Sequence, residues 1–251
     1  MMTLALAPPG IALLITLGAL LHRPAAEPLI ALAYLGGTVG PFLAALRFDR
    51  GDQMRLAWGS LAVANCIAAI GIALISGPFH TPDPQPSPAA WLENVRLAMD
   101  LVLNALTVFA LALFSRVWRS LGLQPPWYRQ ATALAFALGC LVVGPSLIHA
   151  LEAMISGPAR PWSMLISPTA DLLAITLMGP LAASAVAMRG GALMWPYVFL
   201  SADCVAWLFF DAGALLSGDA QRIADSFLAS TGMLYCGAAG LAHRRVLSAD
   251  T

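Results

Sequence analysis

Lysine is absent from this chain of 251 residues; all 13 of its basic residues are arginine. That removes the Schiff-base lysine a retinal protein requires, and with it covalent catalysis by a lysine amine. Charge of either sign is scarce, at 10% of residues, where soluble domains carry about 25%. The 13 acidic residues balance the arginines, so no basic surplus exists to meet nucleic-acid phosphate. Cysteine is limited to Cys66, Cys140, Cys204 and Cys236, each inside an apolar segment. No C-x-x-C or C-x-x-C-H occurs, which argues against zinc ribbons, thioredoxin-like redox sites and c-type haem attachment. H-E-x-x-H, G-x-S-x-G, G-x-G-x-x-G, Walker and lipidation motifs are missing as well. So is any paired Asp-rich motif suited to a magnesium diphosphate.

What the chain has is apolar length. Apolar residues make up 59% of it, above the 45–50% or so of a soluble domain. This excludes a soluble enzyme, a disordered chain and a nucleic-acid binder, and predicts an all-α polytopic membrane helix bundle embedded in a lipid bilayer. A span needs about 20 apolar residues. Eight are expected, over 4–21, 28–46, 56–76, 95–115, 130–150, 168–188, 192–214 and 225–242. The separators are the charged stretch from Arg47 to Asp52, the proline-rich stretch from Ser76 to Pro88, Gln124-Pro125-Pro126, and Arg189-Gly190-Gly191. The first span lacks a basic n-region and a clear cleavage site, so it reads as a retained helix.

An even span count puts both termini on one side. With that side cytoplasmic, Arg47, Arg50, Arg55, Arg116, Arg119, Arg129, Arg189, Arg244 and Arg245 lie inside. Arg23, Arg96, Arg160 and Arg222 lie outside, which obeys the positive-inside rule. The arginine-only, alanine-rich bias fits a GC-rich bacterial genome and hence a bacterial inner membrane. Trp91, Trp118, Trp127 and Trp162 near span ends read as interfacial aromatics.

The two halves resemble each other. Leu20-Leu21-His22 matches Leu147-Ile148-His149, and Gly40-Pro41 matches Gly179-Pro180. Trp58 before Asn65-Cys66 matches Trp195 before Asp203-Cys204. Glu93 to Arg96 matches Asp219 to Arg222, and Arg116-Val117 matches Arg245-Val246. Two parallel four-helix repeats are expected, 1–120 and 121–251, related by a pseudo-two-fold axis along the membrane normal. Gly36-x-x-x-Gly40 suits a close helix contact.

Polar groups at membrane depth are functional candidates. Asn65 and Asp203 are expected near the midplane, where a carboxyl can bind and release a proton. Asp203, Trp207 and Asp211 recur every fourth residue and form one stripe toward the outer face. Asp100 and Asn104 pair on the fourth span, with Arg96 one turn above. His149, Glu152 and Asp171 lie near outer span ends and suggest a proton relay. His22 and His149, equivalent in the repeat, are weak candidates to hold a metal or haem; no cofactor is otherwise expected. Three function classes fit. The first is a small proton-linked carrier using Asn65, Asp203, Trp207 and Asp211. The second is a membrane-embedded acid–base enzyme on an isoprenoid or lipid, with Asp203, Asp100, His149 and Glu152 as catalytic candidates. The third is a sensor or assembly subunit with a membrane-protein partner.

Overall fold

The computed structural model of the chain describes residues 2–21, 23–76, 90–156, 162–188, 191–213 and 215–249. His22, the proline-rich stretch 77–89, Arg160 and the Arg189-Gly190 pair lie outside the described residues, as does the Glu93 side chain. Eight helices and no strand occur among the described residues. They are α1 (Met2–Leu21), α2 (Arg23–Ala45), α3 (Gln53–Ser76), α4 (Ala90–Ser120), α5 (Tyr128–Ser156), α6 (Trp162–Ala187), α7 (Met194–Gly213) and α8 (Gly218–Ala249). Several outrun their expected spans. Between them come polar ends such as Asp219-Ala220-Gln221-Arg222 on α8, which stay helical because backbone bonding does not stop where apolarity does.

Local chemistry sets the ends. Asp52 Oδ1 accepts the Met54 N–H at 2.7 Å and caps α3. α4 closes where Gly122 turns to φ +67° and the Leu123 N–H reaches back to the Trp118 carbonyl at 3.3 Å.

Six helices form a closed circuit of contacts, in the order α2, α3, α4, α6, α7, α8 and back to α2. α1 flanks it against α2 and α8, and α5 flanks it against α6 and α7. The flanking helices are the least covered. Leu13, Leu14 and Leu17 on α1, and Leu134, Phe136, Leu138 and Leu141 on α5, are exposed. A helix with bare leucine on several faces suits lipid rather than water.

Five helices, α2 to α6, are long and apolar enough to cross a membrane. α1 contributes a shorter apolar stretch, Ala5–Leu21. α7 and α8 fall short in apolarity, and the packing explains why. α8 is buried along much of its length against α1, α2 and α7. It is built there from small residues, including Ser230, Gly232, Gly237, Ala238, Ala239 and Gly240, instead of leucine. The Gly36-x-x-x-Gly40 face of α2 meets this stripe directly. A methyl on Gly40 would collide with the Gly237 carbonyl, and one on Gly240 with the Gly40–Pro41 backbone. Glycine is required at both because the two backbones themselves touch.

Candidate functional site

The bundle has two chemically distinct ends. One carries the turns 46–52 and 121–127 together with residues 188 and 191–193, and is called the turn end; the opposite is the far end.

At the far end, α6 and α7 pack as a helical hairpin and bring Asp171 and Asp211 together, both buried. The two carboxyls are near enough for the charge of one to act on the other. Ser167 on α6 donates its hydroxyl to Asp211 Oδ1 at 3.1 Å, and Ser146 on α5 donates to the Asp211 carbonyl at 3.2 Å. Asp171 Oδ2 and Asp211 Oδ2 meet no N–H or hydroxyl donor.

Two turns deeper on the same face of α7 lies Asp203, buried, with the Trp207 indole and the Cys236 thiol of α8 at its carboxyl. Its Oδ1 has no N–H or O–H partner. Gly232 on α8 makes room for this group. A Cβ there would stand 2.9 Å from Trp207 Nε1 and 3.2 Å from Asp203 Oδ1. Asn65 on α3 donates through Nδ2 to the Gly37 carbonyl at 2.9 Å and to Cys236 Sγ at 3.3 Å. Asn65 and Asp203 therefore share one neighbour, Cys236, which stands between them. Trp207 in turn meets the Tyr34 ring edge-on, centroids 6.2 Å apart.

Other sequence candidates are more dispersed. Asn104 Nδ2 donates to the Asp100 carbonyl at 2.9 Å, so it serves the backbone of its own helix. Asp100 is half-buried, with Arg96 close enough for its charge to act on it. His149 and Glu152 occupy exposed positions on α5, whereas Asp171 is buried. Asp219 and Arg222 form an exposed ion pair. His22 lies outside the described residues. Among the described residues no group of three or more His, Cys, Asp or Glu could hold a metal ion.

At the turn end the interior is aromatic. The Trp58 indole N–H donates to His243 Nδ1 at 2.9 Å, both side chains buried. That acceptor role requires a lone pair on Nδ1, hence a neutral ring. Phe114 packs edge-on against Trp58 at 4.9 Å, Trp118 against Tyr197 at 4.7 Å, and Phe48 against His243 at 5.4 Å.

Sequence reasoning overlooked Cys236 and His243 and gave Asp171 another partner. Asp171 was placed with His149, yet it faces Asp211. The signal was available: the two aspartates stand about equally far in sequence from the Arg189-Gly190-Gly191 separator, so antiparallel packing of α6 on α7 sets them level. Cys236 and His243 carried no such signal, because each meets a partner far away in the chain. No protein-family model, curated protein or solved structure matches this chain.

Proposed function

We propose that this protein is a small proton-linked carrier of a bacterial inner membrane, in which Asp171, Asp211 and Asp203 bind and pass the coupling proton. The observation that carries this reading is the Asp171–Asp211 carboxyl pair, buried on two packed helices with acceptor oxygens that no protein donor uses. Buried polar groups are nearly always satisfied, and an exception calls for a functional account. Asp203 and Trp207 continue the acidic stripe inward toward Cys236 and Asn65. The stripe therefore gives a proton acceptor at the far end and a second one deeper in the bundle.

In this reading all eight helices span the membrane, with α7 and α8 tolerating polar residues because neighbours shield them. The turn end faces the cytoplasm, since it gathers most of the arginines. The packing also supports two parallel repeats. Exchanging α1 to α4 with α5 to α8 turns the α2–α8 contact into α6–α4, α3–α4 into α7–α8, α2–α3 into α6–α7, and α1–α2 into α5–α6; all of these occur. The α1–α8 and α5–α7 contacts have no equally extensive counterparts.

Infrared titration of the protein in lipid tests the proton site without knowledge of the substrate. The carbonyl stretch of protonated carboxyls should appear, shift in heavy water, and lose the component of the pair in Asp171→Asn/Asp211→Asn while a component from Asp203 stays. A spectrum without such a band, or one unchanged in the double variant, would overturn the proposal.

A further inference from the structure

A cavity of about 500 Å³ opens at the turn end, away from the acidic stripe. Arg47, Leu241, Arg244, Arg245 and Ser248 line it. Arg47 comes from the turn after α2, and the others from the last turns of α8. Three arginines, one leucine and one serine, whose hydroxyl donates to the Arg244 carbonyl at 2.8 Å, thus border a single hollow, and none of these residues is acidic. Of the acidic residues in the adjoining turn, Asp52 is committed to the Met54 N–H. Arg55 is also occupied, donating through Nη1 to the Phe48 carbonyl at 3.2 Å.

We infer that this cavity is a binding site for a phosphate group. Guanidinium presents its donors as a planar fork that matches phosphate oxygens. Three of them close together repel one another until an anion sits between them. The place suits an anionic phospholipid headgroup, because basic pockets at the ends of membrane helices take such groups. Leu241 would then meet the glycerol side of the lipid. The site also touches the interior. Arg47 and Arg244 are the chain neighbours of Phe48 and His243, whose rings meet edge-on. A phosphate held by both arginines would tie the α2–α3 turn to α8 next to the Phe48–His243 ring contact.

The test is native mass spectrometry of delipidated whole protein titrated with phosphatidylglycerol, with phosphatidylcholine or with inorganic phosphate. The wild type should retain phosphatidylglycerol in preference to phosphatidylcholine. Arg47→Gln/Arg244→Gln should weaken that retention about tenfold, the equivalent of one charge-assisted contact. Arg116→Gln/Arg119→Gln, which removes equal charge outside the cavity, should not. Displacement of the lipid by millimolar inorganic phosphate would identify a soluble phosphate ligand, and resistance to it a lipid headgroup; either supports the site. Equal retention of the two lipids by wild type, with no phosphate adduct, would overturn it even if the variant failed to fold. So would equal weakening in both double variants.

Discussion

The two ends of the bundle bury polar side chains in opposite ways. At the turn end, Trp58 and His243 satisfy each other at 2.9 Å inside a shell of Phe48, Phe114 and Tyr197. At the far end, Asp171 and Asp211 face each other with oxygens to spare, and Asp203 repeats the pattern deeper in. A satisfied pair in a close-packed aromatic setting contributes rigidity and has little reason to change state. A pair of buried carboxyls can hold two protons, one or none, and the packing around it must tolerate a change between them. The comparison separates a part that holds the helices from a part equipped to change.

The contrast can be broken most severely at the glycine seam that holds α2 to α8. Gly240→Leu should cost about 3 kcal/mol or more, since the new side chain meets backbone that cannot yield. A large fall in melting temperature in detergent, or loss of folded yield, is the expected result. Replacing His243 by Ala should cost about 2–4 kcal/mol, from the lost packing and a stranded Trp58 N–H. Thermal unfolding checks this, and a loss far below that range would remove the structural role given to the turn end. Asp211→Asn should change stability by less than about 1 kcal/mol in either direction, because an amide keeps the shape and supplies its own donor. Its effect belongs to proton exchange, read by the infrared titration, so the two ends should sort by which measurement they move. Arg222→Ala, at an exposed ion pair, should shift stability by under about 0.5 kcal/mol and set the baseline for the other three.

Legibility in the sequence followed the range of the interaction. The helices were readable because an apolar run and its charged or glycine-bearing break are local. The charged turn ending in Gly51-Asp52 was expected to separate two spans, and Asp52 indeed caps α3. Gly36-x-x-x-Gly40 was readable as a close-contact face, although its partner was not. The i, i+4, i+8 stripe of Asp203, Trp207 and Asp211 was readable because helical spacing is fixed. Cys236 could not be found in this way. Its role beside Asn65 and Asp203 depends on where α8 threads relative to α3 and α7, and no local pattern encodes that.

Composition and local pattern alone determined that this chain is helical, suited to a membrane, and provided with carboxyls along one face of its seventh helix. Helix formation and bilayer compatibility are sums over neighbouring residues, so a linear text can carry them. Tertiary structure alone decided that Cys236 meets Asn65, that Trp58 meets His243 across 185 positions of chain, and that Arg47 joins Arg244 and Arg245 around one hollow. Those pairings depend on which helix faces touch, and that choice is made by packing the whole bundle at once.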